Sequence, residues 1–326
     1  MPLNETARDT TADHAGAPAA QGAAKPGLAA SSRTAEITAA MRAAETLMAP
    51  ARRLFVDPYA RVFLSRHTYR FLCCSRPVAR VAHRVFDHGY GGLNVQHHLR
   101  NQYYDQRLLE AHRRGVQQIV MVGAGFDSLA LRHDLEGATV FEVDAPPTQA
   151  TKKQCLLAAG LTPTTDVVYV PCDFETDELS TSLHSHGFDS SQPAFAIFLG
   201  VSYYLSAAAV RKTLTELAQV LASGSELIVD YMDASVIDGT TTYGGARKAA
   251  KAVAARGEPY IFGVRRDGGL EDLVAGTGWA VQDNLGVADM VARFAPPSGV
   301  WCSTDDFMGV AALRPSQPPS QPDAAT

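Results

Sequence analysis

The chain has 326 residues, 46% hydrophobic and 19% charged, which supplies apolar side chain for a sizeable core and excludes a wholly disordered polypeptide. Twenty-nine Lys and Arg against thirty-four Asp and Glu give a formal charge of −5, without the basic run or patch that a nucleic-acid partner requires. No apolar stretch approaches the roughly 18 residues of a membrane span. The five cysteines, Cys73, Cys74, Cys155, Cys172 and Cys302, contain no C-x-x-C pair, so free thiols in a reducing, cytoplasmic setting are expected.

Residues 1–32 are rich in Ala, Gly, Thr and Pro and carry too little apolar surface to offset ordering entropy, which predicts a disordered tail. With Glu5, Asp9 and Asp13 and no apolar run, this segment does not read as a secretory signal. Residues 33–115 read as a helical cap. Helices are expected over Ile37–Leu47, Tyr59–Leu64, Pro77–Phe86 and Leu93–His112, with turns at Val56-Asp57-Pro58 and Gly89–Gly92.

From residue 116 the pattern changes. Short β-rich runs at Gln118–Val122, Thr139–Val143, Val167–Val170, Ala194–Leu199 and Glu226–Tyr231 alternate with helical segments. The best of these helices is Ser206–Ala222, with Val210, Leu214, Leu217 and Leu221 on one face, Ser206 as N-cap and Gly224 as stop. Strands with few polar alternations, separated by helices, describe a parallel sheet covered on both faces. An α/β, doubly wound, Rossmann-like core over 116–314 follows, and 315–326 reads as a second disordered tail.

The most informative stretch is Ile119-Val120-Met121-Val122-Gly123-Ala124-Gly125-Phe126-Asp127-Ser128: a buried strand, a Gly-x-Gly turn, and a helix starting near Asp127 or Ser128. A tight turn approached by a ligand needs glycine. A second strand, Val140–Asp144, ends in carboxylates about 20 residues on, where an acid in nucleotide-binding folds accepts from both ribose hydroxyls. The third glycine of the dinucleotide fingerprint is replaced by Ser128, and nothing cradles a pyrophosphate. The ligand thus shifts from NAD towards S-adenosylmethionine, which has ribose and adenine but no phosphates.

In order along the body come Arg42-Ala43-Ala44-Glu45, Leu54–Ala60, Arg100 with Asp105, Gly123–Ser128 with Arg132, Phe141–Asp144 with Pro146 and Gln149, Val170–Phe174, Gly200–Leu205, Gly224-Ser225, Gly257–Tyr260 and Ala292–Phe294. This series resembles the leucine carboxyl methyltransferase family, in particular its bacterial small-molecule O-methyltransferase branch. The resemblance implies a seven-stranded methyltransferase sheet and S-adenosylmethionine as methyl donor. Gly123 and Gly125 would border the donor's methionine part, Asp144 would hold the ribose hydroxyls, Asp173 would accept from the adenine amino group, and the Phe174 backbone would meet the ring edge. Arg100 would pair with the donor carboxylate, a contact of about 1.5–3 kcal/mol when shielded, with Arg42 a second candidate. Where some relatives carry Glu-Gly after the fourth strand, this chain has Leu199, which cannot make the corresponding contact.

Methyl transfer needs alignment of acceptor, methyl and sulfur. Tyr203 and Tyr204 are either aromatic faces beside the sulfonium or core packing. An ionised carboxylate acceptor needs no base, whereas a hydroxyl does; His88, His97 and His98 lie in the cap, but sequence gives none of them a partner, and no catalytic residue is assigned. His184 and His186 lack a nearby Cys or acid at ligand spacing, so no metal is expected. Gly257-Glu258-Pro259-Tyr260 either helps to wall the acceptor site or is a structural turn. The implied function is O-methylation of a carboxyl or hydroxyl group on a small molecule, with no nucleic-acid or membrane partner. The rivals are an NAD(P)-dependent oxidoreductase and a non-catalytic binding protein built on a cofactor fold.

Overall fold

The computed structural model describes residues 33–65 and 67–316; the predicted tail 1–32 and residues 317–326 of the second lie outside them. The cap begins with α1 (Arg33–Thr46), α2 (His67–Leu72), α3 (Arg76–Gly89) and α4 (Leu93–Arg113), joined by short 3-10 turns at Pro50–Arg52 and Ala60–Phe63. Helix α1 is rich in Ala and is buried on most sides, so it lies close against its neighbours through Ala39, Ala40, Ala43 and Ala44.

The core then alternates β1 (Gln118–Val122), α5 (Leu129–Arg132), β2 (Thr139–Asp144), α6 (Pro146–Ala158), β3 (Asp166–Pro171), α7 (Leu179–Ser185), β4 (Ala194–Phe198), α8 (Ala207–Val220) and β5 (Glu226–Met232). Short helices α9 (Ala234–Ile237), α10 (Gly244–Ala254) and α11 (Gly269–Val274) lead to β6 (Trp279–Gly286), α12 (Val287–Phe294) and β7 (Met308–Pro315). The predicted N-cap is in place: Ser206 Oγ accepts from the Ala209 N–H at 3.2 Å. Strand β7 takes in Pro315, one residue into the predicted tail.

The seven strands form one sheet in the order β3-β2-β1-β4-β5-β7-β6. The first five pair in parallel, and β7 runs antiparallel to both β5 and β6. This is the doubly wound α/β architecture, and its sheet has the seven strands that the resemblance implied. Every residue of β1 and β4 is buried, because α7, α8 and α11 cover one face through Leu183, Leu214, Leu217 and Leu273. Leu99, Leu108, Leu129 and Met290 from α4, α5 and α12 cover the other. The chain reverses its direction of winding between β1 and β4, which opens a crevice at the carboxyl ends of those strands. A third apolar cluster joins α1 to Phe126, Leu131 and Leu156, so the cap is docked over that same edge.

Candidate functional site

Gly123 leaves β1 with φ +77° and donates its N–H to the Val143 carbonyl at 2.8 Å. A Cβ there would stand 2.2 Å from Val201 Cγ2, on the loop after β4. Gly125 follows at φ +50° and donates to Asp144 Oδ2 at 2.6 Å. Both glycines are therefore dictated by conformation. Asp144, at the end of β2, also accepts from the Ala145 N–H at 2.7 Å. Burial pushes its pKa up, against the pull of these two N–H groups. Each carboxylate oxygen has two lone pairs, so acceptor capacity is left over. The next strand end carries Asp173 and Phe174, both half-buried. Asp173 Oδ1 accepts from the Glu175 N–H at 3.0 Å, and Phe174 packs onto the core. Five of the six predicted residues thus lie along the adjacent ends of β1, β2 and β3.

Arg100, the sixth, reaches the neighbouring strand ends from α4. Its Nη1 donates to Asp230 Oδ2, while Asp230 Oδ1 accepts from the Gly200 N–H at 2.8 Å. Burial works against the guanidinium charge, but Asp230 and Tyr203 outweigh it and raise the pKa. The Arg100 Nε–H is buried with no hydrogen-bond partner among the described residues. Arg42 is committed elsewhere. Its Nε donates to Asp57 at 2.8 Å and its Nη2 to the Phe126 carbonyl at 2.6 Å, which ties α1 to the glycine turn.

The first turn of α1 closes over this edge. A Cβ on Gly125 would sit 3.5 Å from Ala35 Cβ. The Thr34 N–H and Oγ1–H both donate to Glu258 Oε2, the former at 3.1 Å. Tyr203, Tyr204 and Tyr260 form a triad with ring centroids 4.9, 5.2 and 5.4 Å apart. Burial drives the Tyr203 and Tyr204 phenols well above their usual range and Tyr260 to about 12, so all three remain neutral donors. The Gly257–Tyr260 turn accordingly packs against the loop after β4, and the Ile261 N–H binds the Tyr203 carbonyl at 2.8 Å.

The three cap histidines considered from sequence divide. His88 is exposed, and His98 is fully buried beside Glu45. His97 is half-buried, with Nδ1 2.8 Å from the Leu93 carbonyl. A carbonyl can only accept, so Nδ1 carries the proton and Nε2 a lone pair. Burial, with the Arg100 charge second, lowers its pKa to about 3; the ring is neutral. His184 and His186 are exposed and bond locally, to Ser190 and to the Ser182 carbonyl.

Sequence reasoning missed Asp230, whose Arg100 partner is 130 residues away, although it lies at the end of a predicted strand. It also missed the support beneath the glycine turn. Asp127 accepts from Tyr104 Oη at 3.0 Å and the Leu129 N–H at 2.8 Å, while Arg132 bridges Asp127 and Asp105. Burial opposes the Asp127 charge, but Arg132, Arg42 and Lys152 hold its carboxyl well below the usual range. A surface cleft of about 580 Å³ beside Phe55, Gln102 and His133, and a small one of about 40 Å³ beside His83 and Trp301, touch none of the six predicted residues. Gly123, Gly125, Asp144, Asp173 and Phe174 are all half-buried at the strand ends, beside the first turn of α1.

The sequence model of the leucine carboxyl methyltransferase family matches residues 35–218, from the first turn of α1 to α8. The chain belongs to this family. The match contains all six predicted site residues and stops short of Asp230 and Tyr260. Among relatives, "Putative S-adenosyl-L-methionine-dependent methyltransferase YktD" of Bacillus subtilis (strain 168) is 32% identical over 180 residues, covering 54% of this chain and 58% of its own. A protein of the same description from Mycolicibacterium paratuberculosis is 32% identical over 211 residues, covering 63% and 65%. The chain thus spans less than two thirds of each of these relatives. The fold is shared with a DUF574 family protein from Streptomyces avermitilis, at a TM-score of 0.53 and 18% identity over 84% of this chain and 100% of that one.

Proposed function

We propose that this family member is an S-adenosylmethionine-dependent O-methyltransferase acting on a carboxyl or hydroxyl group of a small molecule. The observation that carries the reading is the Gly123-x-Gly125 turn held by Asp144 at the switch point, with Arg100 fixed by Asp230 beside Gly200. The residues fit the donor's parts in order. Arg100 has a buried, unpartnered Nε–H for a carboxylate. Gly123 and Gly125 keep the backbone bare where the methionine portion would lie, Asp144 has acceptor capacity for ribose hydroxyls, and Asp173 with the Phe174 backbone takes the adenine edge. The bound donor supplies an electrophilic methyl on sulfur.

The protein's own part is alignment and the exclusion of water, which the cap accomplishes through Arg42 and Thr34. Neutral Tyr203, Tyr204 and Tyr260 offer π faces and hydroxyl donors without a competing anion. Among His88, His97 and His98, His97 is the one with a tautomer fixed by a backbone carbonyl and a lone pair at Nε2; its lowered pKa makes it a weak base, so it would serve a hydroxyl acceptor chiefly by accepting its hydrogen bond. Leu199 packs into the core, and the carboxylate on the Gly200 N–H is that of Asp230. A dinucleotide is disfavoured because the Asp127 carboxylate already occupies the Leu129 N–H, where a phosphate would need it.

The test is a panel of small carboxylic acids, phenols and alcohols incubated with methyl-labelled donor. Transfer to oxygen is the expected outcome, and His97→Gln should depress turnover of hydroxyl acceptors while sparing carboxylates. NADPH binding without S-adenosylmethionine binding, or transfer to nitrogen or carbon only, would overturn the reading.

A further inference from the structure

Beneath the cap, away from the strand ends, three helices bring together side chains that nothing so far has used. Glu45 on α1, His83 on α3 and His98 on α4 are 0%, 4% and 0% exposed. One ligand atom from each lies within 4.8 Å of the others. Glu45 Oε2 is 3.4 Å from His83 Nδ1 and 3.9 Å from His98 Nε2, too far for good hydrogen bonds. Glu45 Oε2 and all four imidazole nitrogens are buried without a hydrogen-bond partner among the described residues. Buried polar atoms are nearly always satisfied, and three of these, one from each side chain, converge on one point and call for a common partner.

We propose that Glu45, His83 and His98 bind one divalent cation of the zinc class, which pins α1, α3 and α4 together. Two imidazoles and a carboxylate are a donor set suited to zinc, with ligand bonds of about 2.0–2.2 Å. Ligand atoms 3.4 and 3.9 Å apart need only small side-chain shifts to reach that geometry. The carboxylate is already oriented, because Glu45 Oε1 accepts from the Leu54 N–H at 2.5 Å; such outer bonds characterise metal ligands. Charge is also matched. The buried Asp87, held by Trp301 Nε1 at 2.5 Å and the Asn94 N–H at 2.8 Å, gives the pocket a second carboxylate, so a dication balances two acids. The cleft beside His83 is rimmed by exposed Arg52, Arg80 and Arg84, a positive mouth that opposes the entering ion and, screened by solvent, weakly opposes the bound one. Spacing could not reveal the site, since each ligand comes from a different helix, which is why the sequence predicted no metal.

The consequence reaches the proposed donor site mechanically. Glu45 lies one turn after Arg42 on α1, and His98 lies two residues before Arg100 on α4. The site's existence does not depend on methyl transfer.

The tag-free 326-residue chain, stripped with chelator and dialysed, should be titrated to equilibrium with Co²⁺ and Zn²⁺, by visible absorption and by metal analysis. One ion per chain and a rise in Tm on adding Zn²⁺ are expected. Glu45→Gln, which retains an acceptor for Leu54, should weaken binding at least about tenfold, while the His184→Ala/His186→Ala double variant should bind like the parent. Should Glu45→Gln fail to fold, the comparison of stripped and loaded parent stands alone. No stoichiometric binding, an unchanged Tm, or binding lost only in the His184/His186 variant would overturn the proposal.

Discussion

Gly123→Ala tests the geometry of the site's most constrained residue. The substitution forces a Cβ onto a backbone at φ +77° and places it 2.2 Å from Val201 Cγ2. The backbone term is about 1–2 kcal/mol, and overpacking against the half-buried Val201 adds about 1–3 kcal/mol. The combined loss is then about 2–5 kcal/mol. Val201→Ala removes the offending methyl, so in the double variant only the backbone part should persist. Urea denaturation of the parent, both single variants and the double variant gives the coupling directly, and about 1–3 kcal/mol of mutual relief is expected. Strictly additive losses would mean that Val201 does not press on the turn, and the placement of the β4 loop across the glycines would be wrong.

Other consequences follow from the same contacts. Asp230→Ala leaves Arg100 buried without its counter-charge and deprives the Gly200 N–H of its acceptor; a loss of about 3–5 kcal/mol is expected in chemical denaturation, and less than about 1 kcal/mol would show the pair to be solvated. Thiol reactivity should be graded in the native protein. Cys74 is exposed, whereas burial pushes Cys73 and Cys172 to about 11 and Cys302 to about 12. A disulfide reagent at pH 8 should therefore modify Cys74 first, and uniform fast reaction of all five thiols would contradict the packing.

Legibility from sequence followed the reach of the interactions. Strands β1 to β5 are mainly apolar runs bounded by turns, interrupted in their interiors by Glu142 in β2 and Asp230 in β5, and their ends were read to within a residue. Strand β6 is buried only at Trp279 and Leu285, carries the polar run Gln282-Asp283-Asn284 between them, and breaks register between Val281 and Asp283. Strand β7 reads Met-Gly-Val-Ala-Ala-Leu-Arg-Pro, a composition equally at home in a helix. Neither announces itself locally. The glycine turn and Asp144 were legible because a positive φ and a strand-end carboxylate leave marks at short spacing. Asp230 and the Glu45–His83–His98 cluster were not, because only the docking of the cap on the sheet brings their members together. Arg42 was read as a second donor-carboxylate candidate, and the fold gives it the Phe126 carbonyl.

Isothermal titration of S-adenosylmethionine into the parent and into Asp144→Ala, each checked for a native spectrum, tests the central claim most directly. Binding by the parent and a loss of more than about tenfold in the variant are predicted, as befits removal of a charge-assisted acceptor. Equal affinity in the two proteins would contradict the account.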